Sequence, residues 1–306
     1  MAKRILVVGS LNMDLVVNVA RHPEPGDTVL GGDVGTFPGG KGANQAAAAA
    51  KAGGGTGASA AMLGLVGTDS YGSTLLESLA KAGVDARAIQ QTSGPSGVAL
   101  IAVSEGGENT IIVSPGANGR LTPEHISDDL FEGVALVLMQ LEIPLETVQE
   151  VAARSRAKDV AVMLNAAPVQ ALPGDLIANL SYLILNEGEA AFLSETSVSD
   201  EASALAAARA LRERGAGAVV ITLGAQGVVW VSGASEGHLD AHQVEVVDTT
   251  ASGDAFCGAL AVCLADGHSL EEALRFANAA GALAATKKGA QPSLPEARDI
   301  ERLLGS

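Results

Sequence analysis

The chain has 306 residues, 47% hydrophobic and 18% charged, a balance that supports a substantial core and excludes a disordered protein. With 19 Lys and Arg against 35 Asp and Glu, the net charge is −16 and no basic run exceeds two residues, so there is no face suited to nucleic acid. Glycine is in excess, 37 of 306 or about 12% against the usual ~7%, with no collagen-like period, so the surplus must serve turns and close backbone approaches.

In chain order, Arg4 to Val8 reads as a buried strand ending in Gly9-Ser10, and 12–20 alternates like a second strand. The Gly-rich stretch 28–37 is consistent with an edge strand. A helix of small residues follows over about 42–52, then a strand at 60–66 and a helix at 70–82 with Tyr71, Leu75 and Leu79 on one stripe. Strands at 98–103 and 110–113 flank a Gly-containing turn and form a hairpin. Beyond it, strands at 135–139, 160–164, 182–185 and 218–222 alternate with helices near 145–157, 188–194 and 201–214, the signature of crossover units in a mostly parallel sheet with helices on both faces. A β stretch at 227–232 and another at 243–247 precede two long helices, about 252–265 and 269–286.

No linker or composition shift divides the chain, which reads as one α/β domain over 1–306. The strands at 12–20, 28–37, 98–103 and 110–113 are excursions from it that form a small sheet over a cleft. Cys257 and Cys263 lie six residues apart on one helix, turned away from each other, and read as buried free thiols. The apolar run after Lys3-Arg4 is too short for a secretory segment, and no run approaches a membrane span, so a cytoplasmic location is expected.

Two glycine clusters carry the chemistry. Gly35 with Gly40-Lys41 nearly spells a phosphate-binding P-loop, but Gly42 stands where Ser or Thr would be needed and the segment follows an edge strand rather than a core one. Gly39-Gly40-Lys41-Gly42-Ala43-Asn44-Gln45 either permits tight helix–sheet packing or brings backbone N–H groups and Asn44 against a polyhydroxyl ligand. In Asp248-Thr249-Thr250-Ala251-Ser252-Gly253-Asp254, a β-type run ends and a long helix begins, so the free N–H groups of its first turn form an anion site with Asp254 beside it. A plain first-turn Asp is the simpler reading of Asp254, but Gly253 and Asp248 together favour a catalytic carboxylate.

These two clusters resemble the two signatures of the PfkB carbohydrate kinases, the ribokinase-like sugar kinase family. Five more segments agree in order and spacing: Gly9–Asp14, Asn165–Pro168, Asn186–Glu189, Thr222–Gly227 and Lys288–Ser293. The resemblance covers residues 5 to about 295. It implies a three-layer α/β/α sandwich with a mostly parallel sheet and a small β-sheet lid. It also implies ATP-dependent phosphorylation of D-ribose at O5, with 2-deoxyribose, fructose or a nucleoside as other substrates of the same family and a non-catalytic sugar-binding protein as a different class.

On this sequence the resemblance places the sugar at Asn12, Met13, Asp14, Gly40, Lys41, Gly42, Ala43, Asn44 and Glu142, makes Asp254 the general base, and makes the backbone of Ala251, Ser252, Gly253 and Asp254 the anion hole. The nucleotide falls to Asn186, Thr222, Leu223, Gly224, Ala225, Gln226, Gly227, Gly253 and Asn278, with Glu189 near the Mg²⁺ water network. A K⁺ ion falls to Asp248, Thr250, Ser293 and the carbonyls of Ala284, Lys287 and Gly289, an all-oxygen set with one formal charge. Ser252 stands where the family usually carries Ala or Gly, Ala255 where Thr is frequent, and Met13 is bulky between two sugar ligands. The short apolar lid strands imply a homodimer pairing lid to lid. Nucleic-acid and membrane partners are not expected.

Overall fold

The computed structural model describes residues 3–54 and 57–305. The chain begins β1 (Arg4–Val8), β2 (Asn12–Val19), β3 (Gly35–Gly39), α1 (Lys41–Ala52), β4 (Ser59–Leu63), β5 (Leu65–Gly67), α2 (Ser70–Lys81), β6 (Gln90–Thr92), β7 (Gly97–Ser104) and β8 (Asn109–Ser114). Next come β9 (Val134–Met139), α3 (Leu145–Ala157), β10 (Ala161–Asn165), α4 (Gly174–Asn179), β11 (Tyr182–Asn186), α5 (Glu187–Ser194) and α6 (Glu201–Glu213). It ends β12 (Ala218–Thr222), β13 (Val228–Ser232), β14 (Glu236–Leu239), α7 (Ser252–Asp266), α8 (Leu270–Ala284) and α9 (Ala297–Leu304).

Eight strands form the main sheet in the order β14-β13-β12-β11-β10-β9-β1-β4, with β4 through β12 parallel and β13 and β14 antiparallel. Side chains alternate between its faces, as the two-residue period of a strand requires. Ile5, Val7, Leu136, Leu138, Met163, Ile184 and Val220 pack with α1, α2, α7, α8 and α9 on one face. Leu6, Val8, Val137, Met139, Leu164, Leu183 and Val219 pack with α3, α4, α5 and α6 on the other. This is the α/β/α three-layer sandwich. Because both faces are covered, the strands read as continuous apolar runs rather than alternating ones.

A separate four-stranded sheet, β3-β2-β7-β8, gathers the early excursions. Its outer strand β8 is exposed along its whole length, and Leu100, Ile111, Ile112 and Val113 are open to solvent.

Three expected elements differ. The strand at 28–37 begins only at Gly35; before it a single bridge, Val19 to Gly31, is formed, because Gly31-Gly32 offers no side chains to pack. The strand at 60–66 breaks at Gly64, and the second piece, β5, pairs with β6 instead. No strand forms at 243–247. A tight turn, with Ser232 N donating to Ser235 O at 2.8 Å, returns the chain at once, so β14 takes the pairing edge of β13. Val247 N then donates to Ala285 O after α8, at 2.8 Å. The strand β6 and the helices α4 and α9 had no counterpart in the sequence reading.

Helix α7 is apolar almost all round, and its N-terminal half lies against α1. The contact is backbone-close: a Cβ on Gly258 would stand 2.5 Å from Ala48 Cβ and 2.7 Å from Ala49 N. Cys257 and Cys263 are buried free thiols on α7. Gly258→Ala should therefore force α1 and α7 apart and lower the unfolding free energy by about 1–3 kcal/mol, the usual cost of overpacking a filled core. Urea denaturation reads this directly, and an unchanged midpoint would contradict so close a packing.

Candidate active site

Polar side chains emerge where the parallel strands end: Ser10 and Asn12 after β1, Gln140 and Glu142 after β9, Asn165 on β10, Asn186 on β11 and Thr222 on β12. The carboxyl edge is where an open α/β sheet presents ligand groups. Two helices start at this edge. Helix α1 follows Gly40, whose φ of +90° and missing Cβ let the backbone pass Asn12 N, which a Cβ would approach to 2.6 Å. Helix α7 follows Ala251, a non-glycine residue in the left-handed region at φ 61°, so this turn stores strain of order 1 kcal/mol.

Asp254, in the first turn of α7, is buried between two amides from α1. Asn44 Nδ2 donates to Asp254 Oδ2 at 3.0 Å and Gln45 Nε2 to Asp254 Oδ1 at 2.9 Å. A cavity of about 210 Å³ opens beside it, lined by Lys41, Asn165, Asn186, Glu189, Thr222 and Gly253 among others. Nothing lies within 4 Å of where a Gly253 side chain would stand, so the first turn of the helix is bare toward the cavity. The Ser252 N–H is engaged with Thr249 O at 3.1 Å.

Glu142 caps α1 from across the fold. Its Oε2 accepts from Ser10 Oγ at 2.5 Å, Lys41 N at 3.0 Å and Asn12 Nδ2 at 3.3 Å. A carboxylate at a helix N-terminus satisfies an orphan N–H and the helix dipole together. Asn118 pins the same corner by accepting from Leu11 N at 2.9 Å and donating to Asn12 Oδ1 at 2.7 Å. Alternation along β2 puts Asn12 and Asp14 on one face and Met13 on the other, where it is buried in the apolar core, so Met13 does not join the site. Ala43 is likewise core, and its N–H donates to Ser10 O.

Four carboxylates, Asp14, Glu142, Asp254 and Glu189, surround the Lys41 ammonium. Burial alone would lower the Lys41 pKa, but Asp254, Glu142 and Glu189 outweigh it and hold the ammonium charged. Burial pushes Asp254 up, opposed by Lys41 and by the two amides. Asp14 rises to about 7, through burial first and then the nearby charges of Glu142 and Asp254. Burial also raises Glu189.

Of the residues expected to meet a nucleotide, Asn186 and Thr222 line the cavity, as does Glu189, whereas Leu223, Gly224, Ala225, Gln226 and Gly227 form the turn just beyond Thr222. Both Glu189 oxygens accept from Asn186, from N at 2.8 Å and from Nδ2 at 2.9 Å. Asn278 stands on α8 and donates to Asp240 O at 2.8 Å, tying down the loop after β14 rather than lining the cavity.

Behind α7, Asp248 accepts from Thr250 N at 2.9 Å, Thr250 Oγ1 at 2.6 Å and Gly289 N at 2.9 Å. Burial would raise the Asp248 pKa, but these donors and the charge of Lys288 win and hold it below the usual carboxylate range. The 284–293 segment thus docks on the 247–250 loop, with Ala285 O also accepting from Val247 N at 2.8 Å and Asp248 N at 3.2 Å. The residues expected to hold a cation, Asp248, Thr250 and Ser293 with the carbonyls of Ala284, Lys287 and Gly289, offer only oxygen donors, a chemistry suited to K⁺. Among the described residues, no cluster of His, Cys, Asp and Glu is built to hold a metal by itself.

Several side chains that hold the site had no assigned role in the sequence. Ser10, Gln45 and Asn165 stand inside motifs, and Asn118 and Gln140 outside them. The one available signal was Gln140, a lone amide directly after the apolar run Val134–Met139.

A sequence profile of the pfkB family carbohydrate kinases matches residues 2–297. The chain is 42% identical to the ribokinase of Bacillus subtilis over 305 residues, 99% of each chain. Among solved structures it is similar to ribokinase from Thermotoga maritima, with 37% identity, TM-score 0.91 and 99% of each chain covered. It is also similar to Arabidopsis thaliana ribokinase complexed with ribose and ATP, with 32% identity, TM-score 0.92 and both chains covered in full. Among the described residues, no helix is long and apolar enough to cross a membrane.

The pKa of Asp14 has a consequence for stability. An unfolded Asp titrates near ~3.9 and the folded one near about 7, so the native state binds the extra proton between these values and loses stability as the pH rises through them. Asp14→Asn removes this loss. In sugar-free protein its melting temperature should gain on that of the unsubstituted protein as the pH rises from about 4 to about 7, then hold level. A pH-independent difference would contradict a raised Asp14 pKa.

Proposed function

The chain belongs to the pfkB family of carbohydrate kinases, and we propose that within it the chain transfers the γ-phosphoryl group of ATP to O5 of D-ribose. The observation that carries this reading is Asp254, a buried carboxylate held by two amides at the bare start of a helix and facing a cavity that also holds Lys41. The likeness to the Arabidopsis ribokinase complexed with ribose and ATP supports the choice of both substrates.

In this reading Asp254 accepts the O5 proton as O5 attacks the γ-phosphorus in line. The bond from that phosphorus to the bridging oxygen breaks, and ADP leaves with the bond's electron pair. The first-turn N–H groups of α7 and the Lys41 ammonium face the charge on the transferring group.

Asn12, Asp14, Gly40, Asn44 and Glu142 bind the sugar hydroxyls. Two groups are placed to do so: Asn44 Oδ1 is buried without a protein partner, and the three donors to Glu142 crowd its Oε2 and not its Oε1. A sugar lacking a hydroxyl would leave such groups unpaired, which is how a polar site discriminates. Asn186, Thr222, Gly224, Gly227 and Asn278 serve the nucleotide.

Mg²⁺, reached by Glu189 through water, would neutralise phosphate charge. K⁺, held by Asp248, Thr250, Ser293 and the carbonyls of Ala284, Lys287 and Gly289, would order the loop that starts α7. The four-stranded sheet serves as a lid over the sugar, and its exposed strand β8 pairs with the lid of a second copy. The reading includes a cytoplasmic location.

Asp254→Asn keeps the shape and removes the base, and should lower kcat by roughly 10²–10⁴ with the thermal unfolding profile intact. Coupled ADP release across ribose, 2-deoxyribose, fructose and a nucleoside should show ribose as the preferred acceptor. Absence of ribose-dependent ATP turnover would refute the proposal, and turnover on another acceptor alone would reassign the substrate. For the lid contact, Ile112→Lys should shift the sedimentation of the protein from dimer to monomer at micromolar concentration. A monomer before substitution would dismiss the dimer.

A further inference from the structure

Gln45 is fully buried, with both amide protons donated and its carbonyl oxygen accepting. Nε2 donates to Asp254 Oδ1 at 2.9 Å and to Asn165 Oδ1 at 3.0 Å, while Oε1 accepts from Gln140 Nε2 at 2.6 Å. Its orientation is therefore fixed, since the two acceptor oxygens require the NH₂ group on their side. Gln140 is fully buried too, and its Oε1 occupies the space that a Cβ on Gly9 would need. The row Gln140–Gln45–Asp254 thus ties the end of β9 to the first turn of α7 through α1.

A core amide needs only to satisfy its own hydrogen bonds. This one spends a donor on a carboxylate that already has an amide from Asn44 on its other oxygen. With one amide on each oxygen, the carboxylate plane cannot rotate, and its remaining lone pairs have a set direction. We propose that Gln45 is a positioning residue for phosphoryl transfer, clamped by Gln140 and Asn165 so that it holds the Asp254 carboxylate in the ionised form and the orientation that accept the sugar proton. The inference rests on the reading of Asp254 as the base. The other ionisable groups around Asp254 are Lys41 from α1, Glu142 after β9, Asp14 from β2, Glu189 from α5 and Cys257 from α7 itself.

Gln45→Met keeps the length and removes the donor, and Gln140→Met frees the far end of Gln45 while leaving its contact with Asp254. Steady-state kinetics on the full-length proteins, with pH profiles of kcat, test both. A lost hydrogen bond to a charged group predicts that Gln45→Met lowers kcat by about 10- to 100-fold, with KM for ribose and ATP within about threefold. The acid limb of the profile should move to higher pH, because the ionised base has lost a donor. Gln140→Met should shift kcat and the limb the same way by less.

Wild-type kcat and an unmoved limb in Gln45→Met, alongside an Asp254→Asn variant that has lost turnover, would overturn the positioning role and leave the base assignment standing. Near wild-type turnover in Asp254→Asn would instead remove the base assignment and the inference with it. Should Gln45→Met fail to fold, Gln140→Met decides alone: a lower kcat at unchanged KM with a raised limb supports the role, and wild-type values overturn it.

Discussion

The close approach of α1 and α7 is the constraint on which the site depends. Asn44 and Ala48 lie one helical turn apart on α1, and Asp254 and Gly258 one turn apart on α7. The amide–carboxylate hydrogen bond and the Ala48–Gly258 contact are therefore successive levels of one interface. Any side chain larger than those at Ala48, Ala49 or Gly258 would separate the helices and draw the amides off Asp254. The run of small residues in α1 and the missing side chain at Gly258 thus act on the chemistry through distance.

A chain with a net charge of −16 needs a local cation or uncovered backbone N–H groups to meet an anion. Four carboxylates converge at the sheet edge with the ammonium of Lys41 among them, and the charges of Asp254, Glu142 and Glu189 hold that ammonium protonated against its burial. In the proposed reading, attraction for phosphate would come from Lys41 and from the bare start of α7, where Gly253 keeps the backbone uncovered. Glycine also serves the start of α1, where Gly40 takes a positive φ so that the helix can begin against the chain leaving β1.

Much of this was legible in the sequence because the signals are local. The apolar runs of β1, β9, β10, β11 and β12, the alternation with helices, and the two glycine-opened helix starts are each written within about ten residues. The errors arose where the outcome depends on which distant segment offers a partner. The 243–247 run has strand composition, but the turn at Ser232–Ser235 gives β14 the edge of β13, and the carbonyl of Ala285 takes Val247. Met13 sits between Asn12 and Asp14 in sequence, and the strand period turns it into the core. Gln45, Asn118 and Gln140 had no readable role because their partners lie roughly 95 to 210 residues away, and no local pattern encodes such contacts.

The central claim is that Asp254, fixed by Asn44 and Gln45, receives the proton from the primary hydroxyl of ribose. A crystal structure of the protein with ribose and a non-hydrolysable ATP analogue tests it most directly. The account predicts the O5 hydroxyl within hydrogen-bond reach of the Asp254 carboxylate, about 2.6–3.2 Å, in line with the γ-phosphorus and with both amide contacts kept. A sugar bound with another hydroxyl at Asp254, or with O5 turned away from it, would contradict the account.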